Sequence, residues 1–289
     1  MDFLNALVQG TLLGGVFAMS ALGLSLAFGV LKVVNLAHGQ LMTLGGYFAV
    51  MAITALGLDV WTTLLIVIPI MFAVGYFVQR SMLQRALRMG ELAPLMVTFG
   101  LSVIIPNALI SFFSNDKKTI PIGDLAISSL KLGGISVGLM PLLTLAASVV
   151  LIAALQLFLV NTPIGRSMRA AADDPSTLGL MGVDYRRVYA MAMALAFALA
   201  ALAGVFFGIR QGGVTPFDGQ VTVLFAFEAV IIGGLGSLWG TLAGGIVLGI
   251  AQALAGLVGP EFPLLAGNLV FLLVLVLRPT GIVRSKVAS

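Results

Sequence analysis

The sequence predicts an all-α fold: a polytopic integral membrane bundle of about eight or nine helices, with internal structural repeats. Three observations carry that reading. Phe3–Leu31 holds no charged residue, and beyond Lys32 the chain runs from Val33 to Leu58 with no Asp, Glu, Lys or Arg. About 20 apolar residues suffice to span a bilayer core. Hydrophobic residues make up 60% of the 289 and charged residues 9%, against roughly a quarter charged in an ordinary globular domain. Lipid offers backbone groups no hydrogen bonds, so spanning segments are helices or closed barrels. Barrel strands alternate over short stretches, whereas these runs are long and continuous.

The charge-poor runs, in order, are Phe3–Leu31, Val33–Leu58, Val60–Gln79, Leu92–Asn115, Leu132–Val160, Val188–Ile209, Gly219–Ile232, Gly240–Gly259 and Phe262–Leu277. Basic residues gather between them at Arg80, Arg85 and Arg88, at Arg166, Arg169, Arg186 and Arg187, and at Arg278, Arg284 and Lys286. The positive-inside rule places all three clusters in the cytoplasm. Counting back from Arg80 puts Lys32 inside and Met1 outside. Lys117, Lys118 and Lys131 then fall outside, against the rule. The Gly219–Ile232 run is short for a crossing and leaves the count at eight or nine. Glycine-rich breaks at Gly39–Gly46 and Gly233–Gly245 are the pattern of repeats whose discontinuous helices line a central path.

Composition excludes several functions. There is no cysteine, so no disulfide, Cys-ligated zinc or thiol nucleophile. No partner ligands stand near the single histidine, so no metal site is expected. No lysine follows a glycine, which rules out a Gly-x-x-x-x-Gly-Lys-Ser/Thr phosphate loop. No catalytic residue set is evident. The net charge of +4 belongs to helix ends and does not indicate nucleic acid. The N-terminus shows no cleaved-signal pattern, and residues 1–289 read as one transmembrane domain with a cytoplasmic loop at 161–187.

That loop is the longest hydrophilic stretch on the inner side. Pro163 and Gly165 break the preceding helix, Arg166 to Asp173 favour a short helix, and Asp174-Pro175 suits the start of a second. Two short helices there form a docking surface; the bland alternative is a loop whose arginines set orientation. His38 is open to two readings: hydrogen-bonding the start of the second span beside Gly39 near the cytoplasmic surface, or lining the path. Glu228 is the lone carboxylate within Val221–Leu235, where an unpaired charge is costly. It is expected to pair with Arg210 or face a water-filled cavity, with a substrate ammonium as the remaining alternative. The ladders Gly204/Gly208/Gly212, Gly236/Gly240/Gly244 and Gly245/Gly249 suit close helix contact.

The loop resembles the ATPase-coupling loop of ABC importer permeases, in particular the H-type subunit of the Liv family for branched-chain amino acids. Gly165-Arg166…Arg169-Ala-Ala-Ala-Asp173, then Gly182 and Ala203-Gly204, carry the first match. Asn35-Leu-Ala-His38-Gly39 after Gly29-Val-Leu-Lys-Val carries the second, with Leu36 where many members have Phe. Gly233-Gly234-Leu-Gly236-Ser-Leu-Trp-Gly240 carries the third. The resemblance implies a bacterial inner-membrane, multi-pass subunit that binds no cofactor itself. ATP and magnesium would sit on two cytoplasmic ABC ATPases. A homologous M-type permease and a periplasmic substrate-binding protein would complete the complex. It assigns coupling to Gly165, Arg166, Arg169, Asp173, Asp174, Pro175 and Gly182. Path or gate candidates are Asn35, His38, Gly39, Glu228, Gly233, Gly234 and Gly236. Relatives carrying urea, short amides or aromatic acids, and an ion-coupled secondary transporter, are the alternatives.

Overall fold

A computed structural model describes residues 2–90, 92–123, 128–132 and 135–283. The helices are α1 (Asp2–Leu31), α2 (His38–Leu56), α3 (Val60–Val78), the three-residue α4 (Gln84–Ala86), α5 (Leu92–Phe113), α6 (Leu139–Asn161), α7 (Pro163–Asp173), α8 (Pro175–Leu180), α9 (Tyr185–Gln211), α10 (Asp218–Gly233), α11 (Leu238–Ala255) and α12 (Phe262–Leu277). A π turn at Gln79–Leu83 joins α3 to α4, making one rod from Val60 to Ala86. Among the described residues, seven helices are long and apolar enough to cross a membrane, and α12 is a shorter apolar one. Taking α10 with the segment before it as one pass, the alternation of helix ends is consistent with nine.

α1 and α9 form the centre, buried along most of their length. α1 lies along α11 through paired glycines: a Cβ on Gly10 would come within 2.6 Å of Ile250 Cα, and one on Gly245 within 2.7 Å of Gly14 O. Such backbone contact stands in for the hydrophobic effect, which does not drive helices together in lipid. α5 and α12 lie outermost and expose Phe99, Phe112, Leu272 and Val276. Asp59 caps α3, its carboxylate accepting from the backbone N–H groups of Trp61 and Thr62 and from the Thr62 hydroxyl. Those bonds favour the ionised form, and the Thr62 hydroxyl is first among the causes that lower its pKa.

The structure departs from the expected pattern in two places on the outer side. The fold is not purely helical: β1 (Ser129–Leu132) and β2 (Ile135–Gly138) pair as an antiparallel hairpin, so the fifth span starts at Leu139 and not at Leu132. Gln9 Nε2 donates to Ser136 O at 2.7 Å and ties the hairpin to α1. Lys117, whose outer placement strains the charge rule, donates its ammonium to the Gln211 carbonyl at the end of α9, where a cation complements the helix dipole. Lys118 and Val214 exchange backbone hydrogen bonds beside it. Arg284 and Lys286 of the third basic cluster, and Asp124, lie outside the described residues.

Candidate functional site

Two interrupted crossings meet at the centre of the bundle. α1 ends at Lys32, which takes a left-handed φ of 55°, and residues 32–37 separate it from α2. α9 ends likewise at Gly212, with φ 69°, and residues 212–217 separate it from α10. Each connector is locked by a side chain. Asn35 Oδ1 accepts from Ala37 N at 3.0 Å, and the Asp218 carboxylate accepts from Thr215 N at 2.8 Å and from its hydroxyl at 2.6 Å. The two helices then begin His38-Gly39-Gln40 and Asp218-Gly219-Gln220. Gly39 and Gly219 face each other. A Cβ on Gly39 would strike the Gly219 carbonyl oxygen, and one on Gly219 would lie 2.7 Å from Gln40 N, so only glycine fits at either position.

The packing repeats about this contact. α1 lies on α11 as α9 lies on α3, α1 on α10 as α9 on α2, and the pairs α1–α9 and α2–α10 are their own counterparts. By the charge rule α1 runs inward and α9 outward, so the halves form an inverted repeat of the kind found in transporters. Repeats were expected, but not with this correspondence. Gly39 answers to Gly219, whereas Gly233–Gly245 runs from the end of α10 through a short turn into the first half of α11.

His38 does not lie near the cytoplasmic surface. It is buried, and its Nε2 hydrogen donates to Ser20 O at 2.7 Å. Ser20 stands about 16 Å up α1 from Leu31 at 1.5 Å per residue, roughly half the thickness of the bilayer core. The short sequence distance from Lys32 misleads because the connector doubles back along α1. Gly233, Gly234 and Gly236 do sit at the inner end. A Cβ on Gly236's neighbour Gly29 of α1 would lie 3.2 Å from Gly236 Cα, and Val283 N donates to Gly233 O at 3.0 Å. The structure therefore brings Asn35, His38 and Gly39 together and leaves the Gly233–Gly236 turn at the far end of α10 from them.

Glu228 is 6% exposed, and its Oε2 has no hydrogen-bond partner. The expected pair with Arg210 does not form: among the described residues the ion pair within 4 Å is Arg187–Asp184. α10 starts at the bundle centre, so Glu228 lies nearly three turns further in, while Arg210 stays at the outer end of α9.

The inner loop folds as α7 and α8. Thr162 Oγ1 accepts from Gly165 N at 3.0 Å, and Asp174 Oδ1 accepts from Ser176 N at 2.8 Å; Pro163 and Pro175 occupy first-turn positions. α7 is amphipathic. It buries Gly165, Met168, Ala171 and Ala172 and presents Arg166 and Asp173. Arg169 turns the other way, toward Ser25 and Gly29 of α1 and Gly236. A Cβ on Gly165 would come within 2.5 Å of Leu159 Cα in α6, whereas Gly182 has φ 75° and open space around it. The Tyr189 hydroxyl reaches Ala171 O at 3.5 Å, joining α7 to α9. Sequence reasoning missed the repeat partner of Gly39, although the Gly-Gln pairs at 39–40 and 219–220 were its visible signal. It also missed Lys117, which carries no local sign of its role.

The chain matches, over residues 6–278, the family described as branched-chain amino acid transport system / permease component. It belongs to that family. It is 31% identical to the high-affinity branched-chain amino acid transport system permease protein BraD of Pseudomonas aeruginosa, across 97% of this chain and 95% of the relative. It is 30% identical to LivH of Escherichia coli K12 over the same shares. LivM of that organism is 29% identical over 46% of this chain and 32% of its own. No solved structure matches. The chain is thus a multi-pass membrane protein of a permease family, and its nearness to LivH and BraD runs nearly end to end.

Proposed function

We propose that this chain is the membrane-spanning subunit of an ATP-driven importer of branched-chain amino acids in a bacterial inner membrane. It works with a second permease of the LivM kind, two cytoplasmic ABC ATPases that carry ATP and magnesium, and a periplasmic binding protein that loads the outer mouth. The observation that carries the reading is the α7–α8 platform. It is rigidly capped, locked to α6 through Gly165 and to α9 through Tyr189, and leaves Arg166, Asp173 and Asp174 exposed beside Ile164 and Met181, the last 73% exposed. An apolar patch outside the lipid zone marks a protein contact.

The same contacts supply a route from platform to centre. α7 touches α9 at Ala171–Tyr189. α9 in turn meets α2 where Gly204 lies against the Met42 backbone, just above the Gly39–Gly219 contact. ATPase closure acting on α7 would move α9 against α2 and shift the two interrupted helices together. Path candidates on this reading are Asn35, His38, Gly39 and Glu228, with Gly233, Gly234 and Gly236 at the inner gate.

Reconstitution of the chain with its partners in liposomes tests this. Leucine uptake should require internal ATP and survive ionophores that collapse proton and sodium gradients. Uptake that needs a gradient and ignores ATP would establish a secondary transporter instead.

A further inference from the structure

The outer half of the bundle holds a cavity of about 430 Å³ between α1, α9, α10 and α11, within the roughly 300–1,000 Å³ usual for small-molecule sites. Two opposite charges line it, Arg210 and Asp218, and they are not within 4 Å of each other. Arg210 makes no hydrogen bond or ion pair among the described residues. The end of α9 has no need of it, because Lys117 and the left-handed Gly212 already cap that terminus. The Asp218 carboxylate is held in orientation by Thr215 and keeps lone pairs to spare, since a carboxylate offers about four acceptor sites. Gln252 also lines the cavity; it is 7% exposed, and its Nε2 has no hydrogen-bond partner. The remaining wall is apolar, with the Phe17 and Phe225 rings tilted against each other at a centroid distance of 4.9 Å and Val221 also in the wall.

The inverted repeat separates structural need from function here. In the other half, Val30, His38 and Leu41 occupy the places of Arg210, Asp218 and Val221. All three are buried, and His38 is bonded to Ser20 O. The fold therefore closes without a charge pair at this position. An arginine, an aspartate and an apolar wall in one outward cavity match a zwitterion with an aliphatic side chain.

We propose that this cavity is a transit site for the α-amino acid, with Arg210 holding the α-carboxylate, Asp218 the ammonium, and Phe17, Phe225 and Val221 the branched side chain. This rests on the amino-acid import reading above. Arginine's fork suits a carboxylate, and paired charges in a partly dry cavity discriminate strongly against ligands lacking either group.

The chain has no cysteine, so Val221→Cys, at a half-exposed lining position, gives a single thiol in this chain, and the complex without the substitution serves as the labelling control. Its labelling by an impermeant methanethiosulfonate from the outer side, without ATP, should be slowed by L-leucine. 4-Methylpentanoate, which lacks the ammonium, and 3-methylbutylamine, which lacks the carboxylate, should protect far less. Adding Arg210→Gln should raise the half-protecting leucine concentration about tenfold or more, the loss of one charge-assisted pair, and Arg210→Lys should restore part of it. The proposal is overturned if leucine gives no protection, if either analogue protects as well as leucine, or if Arg210→Gln changes nothing. Leucine uptake by the unmutated complex is measured alongside. Uptake without protection removes only this site, whereas a complex that imports no amino acid removes the import reading and this site with it.

Discussion

Gly39 and Gly219 show how much of this bundle turns on single residues. Each occupies the first turn of an interrupted helix, and each is where the other's backbone must pass. A methyl group at either forces the same two helix starts apart, at a cost of about 1–3 kcal/mol of overpacking. Gly39→Ala and Gly219→Ala should each lower the thermal midpoint of the purified complex. The double variant should lose less than the sum, because one separation relieves both clashes. Additive losses would mean the two sites are independent and that the central contact is not formed. His38 acts at the same point by a different means: its hydrogen bond to Ser20 O fixes the start of α2 against the middle of α1.

At the scale of elements, α8 was legible in the sequence because its signal is local, an aspartate cap followed by proline at the first turn, whereas α7 starts at Pro163 behind a Thr162 cap, three residues before the expected Arg166, and holds Gly165 within it. What their glycines do was not legible. Gly165 is a packing glycine against α6, while Gly182 is a conformational one. Gly165→Ala should therefore impair substrate-stimulated ATP hydrolysis more than Gly182→Ala, which faces only the roughly 1–2 kcal/mol of a left-handed L-residue. Gly182→Asn should come close to the unmutated rate, since asparagine tolerates that conformation. Equal losses at the two positions would show that α7 does not need its close approach to Phe158 and Leu159. The interrupted helices α2 and α10 were harder to see. A hydropathy run registers a connector such as Val33–Ala37 as part of a span, because all its residues but Asn35 are apolar.

At the scale of the whole molecule, orientation follows from charge, and the structure removes the strongest objection to it. Lys117 is outside because it completes the end of α9, so its position reports a local contact and not translocation bias. Ser176→Cys should be shielded from impermeant thiol reagents in intact cells, and Glu261→Cys, in the turn between α11 and α12, should be labelled. Labelling of the first from outside would invert the topology and place the α7–α8 platform away from any cytoplasmic ATPase.

The helical, many-crossing bundle, the two short helices between the fifth and sixth spans and the kinship to a permease family were all legible in the sequence alone. Hydrophobic length, charge bias and capping are properties of contiguous residues and need no partner to be read. The depth of His38, the absence of a Glu228–Arg210 pair, the pairing of Gly39 with Gly219 and the charged outer cavity were decided only in the tertiary structure. Each depends on where the chain doubles back inside the membrane. A connector that returns along its own helix places residues adjacent in sequence at one depth and residues far apart in sequence in contact.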